Sequence, residues 1–175
     1  MDQRTAPTSL IDDVLGDGLR VVFCGTALGN TSAKAGAYYA HPRNLFWPTL
    51  HTVGLTQGPG PLAPARFKDV LGFGIGLTDL CKHYSGNDNE LPANAFDNAA
   101  LAAKIMRYRP RILAFTSKAG GRAYCGHKAA LGWQDLTIGA TRLYILPSTS
   151  PNARWQWETH KWHWDALAAA AAPSL

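Results

Sequence analysis

The sequence is poor in cysteine, and the three cysteines it has are far apart. Cys24, Cys81 and Cys125 form no CxxC pair, and their spacing matches neither a zinc knuckle nor an iron–sulfur motif. Separated cysteines in an odd number are typical of reduced thiols, so we expect a cytoplasmic protein. The first nine residues have no apolar run behind a basic start, and no apolar run reaches the roughly 18 residues of a membrane-spanning helix. Secretion and membrane insertion are therefore not expected.

Several motifs that hold cofactors are also missing. The chain has no GxxxxGK[ST] phosphate loop, no complete GxGxxG, no GxSxG nucleophile elbow and no HExxH. His160 and His163 are close in sequence, but no clustered carboxylates accompany them, and Trp and Lys neighbours favour surface or interface histidines. We predict no metal and no organic cofactor.

Basic residues outnumber acidic ones. Seventeen Lys and Arg against twelve Asp and Glu give a formal charge of +5, which suits a polyanionic partner without requiring one. A chain of 175 residues, 46% of them hydrophobic, can bury the core of one domain. We expect a flexible N-terminus over residues 1–10, a single domain over residues 11–175, and a monomer.

Short apolar runs alternate with helical patterns. Residues 20–25, 111–116 and 142–147 are apolar runs without period-two alternation. This pattern is typical of strands buried on both faces of a parallel sheet, and although it does not exclude buried helix, length and flanking residues favour strands. A fourth strand is expected at residues 74–80. Helices are expected at residues 44–53, 64–71, 97–108 and 118–125, and a tryptophan-rich helix at residues 154–172. The order predicts an α/β fold, a three-layer α/β/α sandwich around a short, mainly parallel four-stranded sheet.

Ligands of such sheets bind beyond the carboxyl ends of the strands. The three exits there, residues 25–32, 116–118 and 146–154, are small and hydroxyl-rich, with no obvious strong acid or base. Residues 37–47 combine two tyrosines, a histidine and Asn44. The tyrosine pair could supply a surface for stacking a nucleobase. Asn44 could cap a helix, or its carboxamide could place a water or bind a base edge, and spacing alone does not choose between these roles.

Three motifs together resemble a known family. Residues 20–32, 38–47 and 146–154 resemble the uracil-DNA glycosylase superfamily, within a similarity that extends from about Ile11 to Ala170. The layout is similar to the mismatch-specific uracil and thymine glycosylases, while Tyr38-Tyr39 and Ser148-Thr149-Ser150-Pro151 resemble the hypoxanthine-DNA glycosylases. The resemblance implies a repair enzyme that removes a flipped, deaminated base from double-stranded DNA and leaves an abasic site. Uracil is the expected base, with a preference for hypoxanthine as the alternative.

The resemblance also assigns residues to roles. It implies that Tyr39 stacks on the base. The other residues that it places around the base are Gly25, Thr26, Ala27, Asp79 and Ser148. The residues that it places against DNA are Ser150, Pro151, Asn152 and Arg154, of which Arg154 could instead anchor a phosphate.

Three positions depart from the mismatch-specific pattern. Ala27 stands where that branch has its water-activating asparagine, Ser148 replaces a second asparagine, and Asp79 replaces a lysine. Asn44 is the first candidate for the catalytic residue, because the hypoxanthine enzymes use an asparagine in a similar motif. Asn30 is the second, with an ordinary turn residue as its alternative. Asp79 could act on water or on a purine edge, or could cap a strand end.

We expect a monofunctional hydrolase, because no lysine is clearly placed as a Schiff-base nucleophile. Ala27 also permits a rival interpretation, a non-catalytic binder of damaged or mismatched DNA. A small-molecule hydrolase with Thr26 or Ser148 as nucleophile lacks a neighbouring His–acid signature.

Overall fold

A central sheet organises the chain. The computed structural model describes residues 9–174, so residues 1–8 of the expected flexible N-terminus lie outside the described residues. The strands are β1 (Val21–Leu28), β2 (Ile75–Ser85), β3 (Ile112–Phe115), β4 (Gly132–Ile138) and β5 (Thr141–Ile145). Their order across the sheet is β2-β1-β3-β5-β4. The four predicted strands are β1, β2, β3 and β5, and they pair in parallel.

The edge strand β4 adds a fifth member to the predicted sheet. It pairs with β5 in the antiparallel sense. Its side chains are mostly half-exposed or exposed, and only Ile138 is buried. A strand with one solvated face lacks the continuous apolar run by which the other four are recognised, and for this reason the sequence did not indicate it.

Helices cover both faces of the sheet. The α-helices are α1 (Asn30–Ala35), α2 (Phe46–Thr52), α3 (Asn98–Tyr108), α4 (Lys118–Cys125), α5 (Trp157–His160) and α6 (Trp162–Ala170). Within residues 9–174, 3₁₀ segments span Pro64–Phe73, Asp88–Glu90 and Pro151–Gln156. Alternate residues of β1 point to opposite faces: Phe23 packs with α2 and α6 on one face, while Cys24 belongs to the core beneath α3 on the other. The predicted three-layer sandwich is confirmed.

The C-terminal tryptophans divide between the core and the surface. Trp164 is fully buried and stacks on Phe23 with 5.6 Å between ring centroids, and Trp157 packs partly against the same core. Trp155 and Trp162 are 83% and 56% exposed. The expected helix over residues 154–172 is divided into a 3₁₀ segment and two α-helices, and it buries only one of its faces.

Candidate active site

A cavity of about 600 Å³ opens at the carboxyl edge of the parallel strands. It is lined by the end of β1 and the loop after it, by the loops after β3 and β5, by Asp79 of β2 and residues 86–88 after that strand, and by side chains between Tyr38 and Asn44. It brings together eleven of the twelve site residues expected from the sequence: Gly25, Thr26, Ala27, Asn30, Tyr39, Asn44, Asp79, Ser148, Ser150, Pro151 and Asn152. Arg154 is not among the lining residues; its guanidinium donates a 2.8 Å hydrogen bond to the carbonyl of Arg43.

Tyr39 is held rigidly in the cavity wall. Its backbone is in the left-handed region, with φ of 51°, and its ring stacks on Phe46 with 3.7 Å between centroids and 17° between planes. Its hydroxyl and that of Thr116 share a 2.9 Å hydrogen bond. Burial raises the pKa of Tyr39, so the phenol keeps its proton. One face of the ring is thus occupied by Phe46, and at most the other is left for a ligand.

Asn44 lies at the start of α2. Its Oδ1 accepts a 2.9 Å hydrogen bond from the backbone N–H of Phe46. The N-cap of α2 is Leu45, which has no side-chain cap, so this bond forms a local turn just before the helix and is not the capping role considered from the sequence. This hydrogen bond fixes the carboxamide within the cavity wall, while the second lone pair of Oδ1 stays available. A carboxamide fixed in this way can place a water molecule or a base edge.

Asn30 has a different setting. It is the first residue of α1, is exposed, and its Oδ1 accepts a 3.0 Å hydrogen bond from Ser85 Oγ. Both Asn30 and Ala27 line the cavity. The methyl group of Ala27 supplies no hydrogen bond, so any polar contact in this part of the cavity comes from its neighbours.

Asp79 is the buried acid of the site. The residue is only 4% exposed, and its Oδ2 has no hydrogen-bond partner among the described residues. Burial raises its pKa to about 7, against the opposing charge of Lys82. Gly25 makes this position possible, because a Cβ atom there would collide with Asp79 Oδ1.

Behind Asp79 lies a group of charged side chains. Lys82 Nζ is 3.8 Å from Asp79 Oδ2 and 2.9 Å from Asp13 Oδ1, and it donates a 3.0 Å hydrogen bond to the hydroxyl of Tyr38. Asp13 is also bound by Lys104 Nζ at 2.6 Å and by the hydroxyl of Thr78 at 2.7 Å. Asp13 is thus well satisfied, whereas Asp79 receives only a distant charge.

Hydroxyl groups order the remaining loops. Thr26 and Ser117 share a 2.9 Å hydrogen bond between β1 and α4. Ser148 Oγ accepts from the N–H of Ser150 at 3.1 Å, and the carbonyl of Thr149 accepts from the N–H of Leu45 at 3.0 Å. The loop after β5 and the loop that carries Asn44 are therefore joined directly.

The rim of the cavity is basic and aromatic. His41, Arg43, Lys118 and Trp155 line it, with the carboxylate of Asp88 also present. Sequence reasoning assigns no role to Trp155, Asp88, Thr116 or Lys118. Thr116 and Lys118 lie in a strand exit that the sequence indicates as a binding loop, but nothing in the sequence distinguishes Trp155 from the packed tryptophans around it.

Within residues 9–174, no group of three or more His, Cys, Asp or Glu side chains is placed to hold a metal ion. No helix in that range is both long and apolar enough to cross a bilayer.

Comparison with known proteins agrees with this geometry. The family model of the uracil DNA glycosylase superfamily matches residues 13–171. The fold is similar to the solution NMR structure of a proposed uracil DNA glycosylase from Methanosarcina acetivorans, with a TM-score of 0.66, 18% sequence identity, and coverage of 93% of this chain and 97% of that one. Because the family match spans most of the chain and includes the cavity, this protein belongs to the uracil DNA glycosylase superfamily, whose members are hydrolytic enzymes of DNA repair.

Proposed function

We propose that this protein, acting as a monomer, hydrolyses the N-glycosidic bond of uracil flipped out of double-stranded DNA and leaves an abasic site. The observation that carries the proposal is the cavity of about 600 Å³, lined by Tyr39, Asn44 and hydroxyl groups and bordered by basic side chains. This volume falls within the usual range of small-ligand pockets, and the composition suits a flat, hydrogen-bonding base attached to a polyanion.

Hydrolysis of the N-glycosidic bond depends mainly on hydrogen-bond donors and dipoles that are already oriented toward the reacting groups. Cleavage passes through a positively charged sugar and a base that departs with negative charge, so preorganised donors near the base oxygens lower the barrier. The donors proposed for this role are backbone amides near Gly25 and Thr26 and the hydroxyl of Ser148, which belong to residues that line the cavity. The sequence-based roles of Ser150, Pro151, Asn152 and Arg154 as DNA contacts remain part of the proposal.

Asn44 is the proposed water-positioning residue. Its carboxamide is fixed by the hydrogen bond from Phe46 N–H, and fixed orientation is what water placement requires. Asn30 is second, because it is exposed and its Oδ1 already accepts from Ser85.

Single-turnover assays on duplexes containing uracil, thymine mismatches or hypoxanthine test the proposal. Asn44→Ala should slow uracil release at least about a hundredfold, and Asn44→Ser should do the same while retaining a side-chain oxygen that can accept from the N–H of Phe46. Asn30→Ala should have a smaller effect. A greater loss of activity in Asn30→Ala than in Asn44→Ala would exchange the two roles. Borohydride should trap no covalent complex with DNA, because a monofunctional enzyme forms no Schiff base.

A second candidate function is a non-catalytic binder of damaged DNA. Ala27 favours it, because that position provides no side-chain group to bind water, and the two candidate asparagines, Asn44 and Asn30, already accept hydrogen bonds from the protein. A protein that binds uracil-containing duplex selectively but releases no base would support this function over the enzyme.

A further inference from the structure

Asp79 combines deep burial with an incomplete set of partners. Its side chain is 3% exposed, and its buried Oδ2 has no hydrogen bond within residues 9–174. The residue itself lines the cavity wall with Gly25 and Tyr39. Buried polar atoms are normally paired, so an unpaired one at a binding cavity points to a partner supplied by the ligand.

The two ionisation states of a carboxyl group offer a ligand different contacts. A neutral acid donates one hydrogen bond and accepts others, whereas a carboxylate only accepts. A uracil that leaves the sugar accumulates negative charge on its carbonyl oxygens. A neutral Asp79 would stabilise that charge by donating to an oxygen, while an ionised Asp79 would repel it.

The charged groups near Asp79 oppose one another. Lys82 and Lys104 favour the ionised carboxylate, while burial and the charge of Asp13 favour the neutral acid. The titratable groups around Asp79 are Lys82 on β2, Lys104 on α3, Asp13 before β1, Cys24 on β1, and Tyr38 and Tyr39. The two tyrosines and the cysteine have raised pKa values because they are buried, so they remain neutral. The charged groups that influence the ionisation of Asp79 are therefore Lys82, Lys104 and Asp13.

Lys82 occupies the key position among these groups. It is 3.8 Å from Asp79 but only 2.9 Å from Asp13, and Tyr38 holds it as well. Asp13 thus keeps the ammonium beyond hydrogen-bond distance of Asp79. We propose that Asp79 works as a neutral acid that donates a hydrogen bond to a carbonyl oxygen of the bound base, and that Lys82, held by Asp13, is the positioning residue that sets the pH at which this donor is lost.

This inference rests on the proposed function, since it concerns the same cavity, and the pH profile of uracil release tests it. Release by the wild type should fall as the pH rises through about 7. Asp79→Asn retains a donor but cannot ionise, so it should keep activity within about tenfold at pH 6 and lose the alkaline decline. An inactive Asp79→Asn, or wild-type release that rises with pH, would show that the carboxylate acts as a base and would overturn the inference.

Variants of the neighbouring pair should move the decline in opposite directions. Lys82→Met removes a charge that favours ionisation, so the decline should move upward by about one pH unit or more; Asp13→Asn should move it downward. Lys82→Arg, which keeps the charge, should stay near the wild type, as should Lys128→Met on the exposed surface. A purely structural role would lower activity at every pH without moving the decline. If Asp13→Asn fails to fold, Lys82→Met and Lys82→Arg decide the question.

Two readouts separate this inference from the proposed enzyme activity. Carbon-13 NMR of the Asp79 carboxyl should show its titration midpoint move upward in Lys82→Met, and no movement would refute the role of Lys82. Binding of a uracil-containing duplex, relative to undamaged duplex, should weaken above about pH 7 in the wild type but not in Asp79→Asn. If the wild type releases no base, the proposed function fails, and these two results still decide whether Asp79 is the donor that Lys82 controls.

Discussion

Replacing Asp79 by Asn should stabilise the protein at alkaline pH. Burial raises the pKa of Asp79 from 3.8 to about 7. The folded state therefore holds this proton more tightly than the unfolded state, and it binds more protons between about pH 4 and pH 7. Stability is lost as the pH rises through this window. Each pH unit corresponds to about 1.4 kcal/mol, so ionised Asp79 costs about 4 kcal/mol by pH 8. Asn does not ionise and escapes this cost.

Urea unfolding of the wild type and of Asp79→Asn at pH 4, 6 and 8 measures the effect. The free energy of unfolding of the variant, minus that of the wild type, should increase by about 4 kcal/mol from pH 4 to pH 8. Asp135→Asn makes the same chemical change at an exposed site and serves as the control for the substitution itself. A difference for Asp79→Asn that is independent of pH, or that decreases, would refute the buried-acid interpretation.

Three further outcomes are expected. Gly25→Ala should lower the free energy of unfolding by about 1–3 kcal/mol and slow uracil release at least about tenfold, because the new Cβ displaces the Asp79 carboxyl. Gly72→Ala is the control, since no atom lies within 4 Å of its added Cβ. It should change stability by less than about 1 kcal/mol in the same urea titration. In fluorescence anisotropy, Trp155→Ala should weaken duplex binding about fivefold or more, because a surface for base stacking is lost. Trp162 is exposed but lies outside the cavity, so Trp162→Ala should leave binding unchanged. Affinity for DNA should fall with salt in that assay, and salt-independent binding would contradict a phosphate contact.

The sequence predicted the parts of the fold that are buried on both sides. Strands β1, β3 and β5 are continuous apolar runs, and in a chain where such runs alternate with helical patterns they are typical of the inner strands of a parallel sheet. The partly exposed strand β4 and the six-residue helix α1 have no comparable signal. Their exposed side chains can hydrogen-bond to solvent, so these segments do not need the continuous apolar sequence that buried strands have.

The contents of the cavity could be predicted from the rule that loops meet at the carboxyl edge of a parallel sheet. Contacts between side chains that are far apart in sequence could not be predicted. The position of Lys82 between Asp13 and Asp79 depends on packing of the segment before β1 against β2. The exposure of Trp155 likewise depends on the backbone path of the 3₁₀ segment that carries it. Trp157, two residues later, packs against the core, whereas Trp155 points away from it.

The most direct test of the proposed function is single-turnover incubation of the full chain with a duplex that contains one uracil, followed by separate detection of free uracil and of the abasic strand. Both products should form in equal amounts, without a borohydride-trapped complex, and Asn44→Ser should slow their formation at least about a hundredfold. Selective binding of that duplex without release of uracil would contradict the proposed hydrolysis.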